Sequence, residues 1–306
     1  MADARGYSAG KFVLVVDGTP AGLCSSVEGG HATSDVIQEK AGGELTAFKH
    51  IGGVKYEDIT VNVGAAISDG FGKWIQASFG KKHERKNGNI LSADFDSKGR
   101  AGMDFFNALV TELGFPALDA SSKDAAKMTV KFSPEYTRFK KGSGDASAAI
   151  SPPKQKMWTP ANFRLKIDGL EEGCAKVNKI EALTLKQKVV ENPVGEMRDY
   201  QKEPVGLLDV PNLVVTLPES HADKWYEYHE SFVIKGENGQ DKEKGATLTY
   251  LTPDLKTEVL TLTFKQLGIF KLTPDKLDAG SEQIRRVKAE FYCESLEFKF
   301  SGSAVG

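Results

Sequence analysis

The chain has 306 residues, 40% hydrophobic and 27% charged, with 40 Lys+Arg against 42 Asp+Glu. That length suits one large core or two domains of about 100 to 200 residues, with two the better expectation. Nowhere do about 18 apolar residues run together, which excludes a helical membrane span, and the charge, 18 basic against 18 acidic up to residue 150 and 22 against 24 beyond it, excludes a basic nucleic-acid-gripping module in either half.

The opening MADARGYSAGKF lacks the charged start, apolar centre and small-residue cleavage site of a secretory signal, so the chain is expected to fold in the cytosol where it is made. FVLVVDG (12–18) then reads as a strand ending in a tight turn, and its unbroken apolar run expects burial on both faces. A long polar loop at 36–55 follows, its pairs Gly42-Gly43 and Gly52-Gly53 supplying backbone freedom for a projecting segment. Ile59, Val61 and Val63 alternate with Thr60 and Asn62 as a half-buried strand does. Ser68-Asp69 is a natural N-cap for a helix that places Phe71, Trp74, Ile75, Ser78 and Phe79 on one stripe before Gly80 stops it. In the basic run KKHERKNGN (81–89), Asn87-Gly88 reads as the tight turn of a hairpin. Met128, Val130 and Phe132 form the next alternating strand.

After a Gly-, Ser-, Ala- and Pro-rich stretch at 140–160, which reads as a linker, the pattern starts again. FRLKIDG (163–169) answers FVLVVDG, with Asp168 following Asp17 by 168 − 17 = 151 residues, and Lys224-Trp225 answers Lys73-Trp74 at 225 − 74 = 151. Two unlike signals at one offset are what a duplicated domain leaves. Further on, Leu267-Gly268 is read as the answer to Leu113-Gly114, and VKAEF (287–291) as the answer to MTVKF (128–132). Arg164 and Lys166 wet one face of the second copy's first strand. Its helix is expected to start at Ser220 with Asp223 in capping-box position and Trp225, Tyr228 and Phe232 inward. Leu260, Leu262 and Phe264 alternate, and in the last strand the phase of Val287, Ala289, Phe291 and Cys293 gives way to that of Leu296, Phe298 and Phe300, which predicts a β-bulge near Glu294 or Ser295. Each copy is therefore an α+β, mainly β domain with one aromatic-faced helix on a small sheet.

Little in this pattern carries chemistry. The five histidines lack metal-motif spacing, Cys24, Cys174 and Cys293 are odd in number and widely spaced as reduced packing cysteines are, and Cys24-Ser25 has no nucleophile-elbow context. No catalytic, cofactor-binding or metal site is expected. The basic run has two readings, a solvated turn or a patch in which Lys81, Lys82, Arg85 and Lys86 meet acidic side chains on a neighbouring subunit.

Four elements of the first copy, FVLVVDG, GGVKYEDITV (52–61), DGFGKWI (69–75) and RKNGNI (85–90), carry a resemblance to tail-tube proteins of contractile-tailed phages and the inner-tube proteins of related injection systems, over about residues 12–139. The second copy keeps FRLKIDG, VGLLDVPNLVVTL (205–217) and DKWYEY (223–228), but its GENGQDKEKG (236–245) lacks the arginine-lysine pair. The resemblance implies two tandem tail-tube-like β-barrel or sandwich domains, each with a flanking helix. Domain 1 would span 1–145 as the ring wall, with 146–160 a linker and 161–306 domain 2. It further implies a subunit that joins itself edge to edge in sixfold or pseudo-sixfold rings, stacked into a conduit for DNA or an effector that passes without specific binding. Three chains per ring, six chains with domain 2 outside, or chains spanning two layers all fit. Sheath and baseplate proteins would be partners, no membrane would be, and the mature site, after folding in the bacterial cytoplasm, would be the virion tail or injection-system tube. In the family the loop before the KY strand reaches a neighbouring ring, which puts Val36, Phe48 and Lys55 among the candidate contact residues. A baseplate hub, tube initiator or cap is the alternative within the class, and an Hcp-like secreted cargo carrier the alternative outside it.

Overall fold

The computed structural model describes residues 11–40, 42–43, 46–80, 82–94, 96–141, 158–277 and 283–301. The first half runs β1 (Lys11–Val16), β2 (Thr19–Pro20), β3 (Gly22–Gly29), β4 (Ala32–Glu39), β5 (Phe48–Tyr56), β6 (Ile59–Ile67), α1 (Asp69–Phe79), β7 (Lys86–Ala93), β8 (Gly99–Phe115), β9 (Leu118–Asp119), β10 (Met128–Ser133) and β11 (Tyr136–Lys141). The second runs β12 (Phe163–Ile167), α2 (Glu171–Cys174), β13 (Lys179–Ile180), β14 (Leu183–Asn192), β15 (Gln201–Asp209), β16 (Leu213–Pro218), α3 (Asp223–His229), β17 (Lys244–Leu251), β18 (Glu258–Pro274) and β19 (Arg286–Phe300). Of the stretch expected as a linker, Lys140 and Lys141 belong to β11 and beyond them only 158–160 lies among the described residues, where Trp158 is buried with its ring 5.3 Å from that of Tyr250.

The mainly β fold with few helices is as expected, and local chemistry explains most of its elements. Asp17 and Gly18 both take positive φ, 46° and 78°, as a two-residue type I′ hairpin requires, and Val16 pairs with Thr19 across it. At the second DG only Gly169 is left-handed, Leu170 N–H closes on the Ile167 carbonyl at 2.9 Å, and the chain enters α2 instead of a return strand. Helix α1 begins and ends where its sequence says. The Ser68 hydroxyl accepts from Phe71 N–H at 3.3 Å, Gly80 closes the helix, and all five stripe residues are buried.

Five expectations need correction. The loop at 36–55 is a hairpin, because β4 and β5 pair with each other as a separate two-stranded sheet. Asn87-Gly88 is no turn but lies inside β7, where the register slips between Lys86 and Gly88. A Cβ on Gly88 would strike the Val15 carbonyl and the Phe105 ring, so this glycine serves close approach. In the second half Ser220 sits within a 3₁₀ turn, Glu219–His221, with its hydroxyl 2.9 Å from His221 Nδ1. The start of α3 therefore moves to Ala222 and no capping box forms. A π-helical turn, Glu230–Ile234, continues α3 and carries Phe232 into the core, its ring 5.3 Å from that of Tyr228 and 6.4 Å from that of Tyr292. In β19 the burial phase does switch after Cys293, yet its register does not break there. The cause is across the ladder, where Gln266 takes φ 57°, and the register shift falls between Ile269 and Lys271.

The last correction concerns how the halves correspond. Strands β8 and β18 are 17 residues each, and the ninth residue of each is left-handed, Asn107 (φ 49°) and Gln266, at 266 − 107 = 159 residues. The spacing then holds pair by pair. Phe132 opposite Val110 is answered by Phe291 opposite Ile269, and Tyr136 opposite Phe106 by Ser295 opposite Lys265. Leu113-Gly114 therefore answers Leu272-Thr273, and the expected match to Leu267-Gly268 fails because it ignores the bulged corner. The expected match of 128–132 to 287–291 holds. Both halves share the strand order β1-β7-β8-β10-β6-β3, rendered in the second as β12-β17-β18-β19-β16-β13.

At Asn107 β8 passes from one sheet to the next, pairing with β11 and, from Gly88 on, with β7 before the corner and with β10 and β14 after it. The partner β14 belongs to the second half, and β9 likewise pairs with β13. Buried apolar side chains of both halves accordingly form one contiguous cluster.

Candidate functional site

No group of three or more His, Cys, Asp or Glu that could hold a metal occurs among the described residues. Burial pushes the thiols of Cys24 and Cys174 up to about 12 and raises that of Cys293, so all three stay protonated at neutral pH and none is a ready nucleophile. No helix among the described residues is long and apolar enough to cross a membrane. What the molecule offers instead is surface.

The candidate contact residues fall into two groups. Val36 and Phe48 lie on the β4–β5 hairpin, 60% and 58% exposed, joined there by Ile37 and Ile51. Such an apolar arm outside the core is unusual for a chain with nothing to dock against. Lys55, on β5, is paired with Asp35 on β4 at 2.6 Å, which ties the two strands together near their base. In the basic run Lys81 lies outside the described residues and Lys82 is exposed. Arg85 donates to the Lys202 carbonyl at 2.9 Å and meets Glu203 at 2.8 Å, so it clasps β15 of the second half. Lys86 pairs with Asp17 at 2.8 Å and Glu84 at 3.5 Å within the first half.

Sequence patterns did not single out the polar groups on which the junction of the halves rests. Lys202 is buried and gives its ammonium to Ser133 Oγ at 2.7 Å, Ser133 donates to Asp58 at 2.5 Å, and Glu135 accepts from Lys202 N–H at 3.1 Å. Desolvation holds the Lys202 ammonium below the usual lysine range. Asp199, on the connection between β14 and β15, accepts from Tyr56 at 3.0 Å and from Arg138 at 3.0 Å, and Gly53 leaves room for the Tyr200 hydroxyl. These partners stand more than 60 residues apart in the chain, with no local motif to reveal them.

The apolar part of the junction is a strand ladder and an aromatic cluster. Leu183 to Lys186 of β14 lie opposite Phe115 to Glu112 of β8, and Ile180 lies opposite Leu118. The Phe298 ring of the second half sits 6.0 Å from those of Phe79 and Phe115 of the first. The two halves are thus joined edge to edge.

Among known families, residues 8–138 match the model described as T4-like virus tail tube protein gp19. The resemblance read from the motifs is therefore shown for that segment. Among solved structures, the sheath-tube complex in the extended state of an extracellular contractile injection system, PVC, is similar at 21% identity, with 45% of this chain and 93% of that chain covered and a TM-score of 0.40. The sheath/tube terminator of the same system is similar at 22% identity, over 45% of this chain and 99% of that one, also with a TM-score of 0.40. Hcp1 from Flavobacterium johnsoniae is similar at 22% identity, over 44% and 98%, with a TM-score of 0.28. No curated protein matches the chain.

Proposed function

We propose that the chain is a structural subunit of a tail tube or of a related injection-system inner tube, built to assemble with copies of itself into stacked rings around a conduit, and that it catalyses no reaction. The observation that carries this reading is the junction inside the chain. One half, which matches the tail tube family, accepts a strand from a second half of the same strand order. A contact between unlike edges of like units can be repeated from copy to copy, closing as a ring or running on as a filament.

On this reading the domains are 1–145 and 161–306, and three chains supply six tube-like units per ring. The first half is the better wall. Val13 and Leu14, successive residues on opposite faces of β1, are both buried, whereas Arg164 and Lys166 of β12 are exposed. The β4–β5 hairpin, with Val36 and Phe48 at its surface, reaches from one ring to the next. Lys82 faces acids of a neighbouring subunit. Sheath and baseplate proteins cover the outside, and DNA or an effector passes through a lumen that does not hold it, in keeping with a chain of formal net charge −2. Electron microscopy of the purified protein tests the reading. Rings or tubes are expected, and monomers persisting at high concentration would sink it.

A further inference from the structure

The duplicated fold leaves one half of its own junction unused at each end of the chain. Val27, opposite Val61, holds the place of Ile180, opposite Val215. Counting on from there, Gly30 to Thr33 hold the places of Leu183 to Lys186, the segment that docks on β8. In the other direction the spacing of 159 residues makes Lys271 to Pro274 the counterparts of Glu112 to Phe115, the segment that receives it.

Both counterparts are open. Among the described residues β4, which begins at Ala32, pairs with β5 alone, where β14 has both β15 and β8, and β3 pairs with β6 alone, where β13 has β9 on its other side; the Gly30 carbonyl between them accepts from the Thr137 hydroxyl at 2.7 Å. Among the described residues nothing pairs with the second edge of β18 beyond Leu267. The apolar side chains repeat the contrast. Leu118 is 0% exposed in the internal junction, while its counterpart Leu277 is 73% exposed. Phe298 has the rings of Phe79 and Phe115 against it, while its counterpart Phe139 is 79% exposed. Phe139 rims a cleft of about 590 Å³, lined also by Phe12, Val27, Gly30, His31 and Met103, on the face that the internal junction would cover in the second half.

We infer that the occupant of this cleft and edge is a second copy of the same chain, docked head to tail. Its β18 edge, Lys271 to Pro274, pairs antiparallel with Gly30 to Thr33 of the next chain, Thr273 opposite His31 and Leu272 opposite Ala32. Its Leu277 lies beside Val27 as Leu118 lies beside Ile180. Continuity with the junction inside the chain selects this partner. The two free surfaces have the shape, register and apolar content of the two that already fit each other. The edge strands are consumed by assembly, which removes the hazard that an open edge poses. The inference rests on the tube reading and gives it a residue-level contact.

Cysteine pairing tests it. Thr184 and Gly114 stand directly opposite in the internal ladder, so a variant carrying His31→Cys and Thr273→Cys should form disulfides between chains under mild oxidation. A ladder of covalent oligomers ending at one closed size is expected, with monomers alone from either single variant. Phe139→Asp and Leu277→Asp, both at exposed positions, should each abolish assembly while circular dichroism and the melting temperature stay those of the parent. Rings or tubes of the double-cysteine variant that stay uncross-linked under oxidation, or assembly that survives both aspartates, would overturn this contact and leave the tube reading standing. A protein that neither cross-links nor assembles at high concentration would overturn both.

Discussion

Trp74 sits at 1% exposure between Phe71 and Phe132, and its indole N–H donates to the Glu84 carbonyl at 2.8 Å. It fixes α1 to the sheet and orders the chain entering β7. Trp74→Ala is therefore expected to cost about 3 to 5 kcal/mol, read as a lowered midpoint in urea unfolding. Lys202 works in the opposite sense. Its folded-state pKa lies below the ordinary 10.5, so the folded protein takes up that proton less readily than the unfolded chain. The stability penalty is full below the depressed pKa, shrinks as pH rises through it, and is gone above 10.5. Denaturation midpoints measured from neutral to alkaline pH should show this rise in the parent and lose it in Lys202→Met. An identical profile in both would mean that burial does not govern this lysine.

The two flanking helices have similar sequences and different ends, which makes them a matched pair. The Ser68 hydroxyl caps α1, whereas Ser220 caps nothing. Ser68→Ala should cost about 1 kcal/mol and Ser220→Ala close to nothing, by thermal or chemical unfolding. The difference was hidden in the sequence because both serines precede an acidic residue and an aromatic stripe. Only the 3₁₀ turn at Glu219–His221 decides that the second start slips to Ala222. A similar limit applies at Asn87-Gly88. The dipeptide is a strong turn signal, yet the nearness of Val15 and Phe105, distant in sequence, turns it into a strand bulge. The alternating strands, by contrast, were fully legible, and Ile59, Val61, Val63, Leu262 and Phe264 are all 0% exposed.

The halves share one buried cluster and two strand ladders, so they should not unfold separately. Calorimetry is expected to give a single transition for the whole chain, and two resolved transitions would show that the junction contributes little. The same ladders explain why a β-rich duplication remains one molecule. The post-corner end of β8 is capped by β14 instead of being left as an open edge, and Arg85 and Lys202 fasten β15 beside it. Arg85, a candidate for contacts between subunits, thus holds contacts between halves. Whether Lys82 faces a neighbour is answered by charge reversal at Lys82, which should weaken ring stacking in electron micrographs while leaving the melting temperature unchanged.

The sequence by itself determined the duplication, the mainly β class, the capped and striped helix α1, and the family motifs of the first half, because each is written in local period or short-range chemistry. The tertiary structure alone decided which edges meet. The spacing of 159 residues between the corner strands and their partners, the corner residues Asn107 and Gln266, and the exposed pair Phe139 and Leu277 emerge only when strands distant in sequence are laid side by side. Edge pairing is a property of two strands at once, and no single segment carries it.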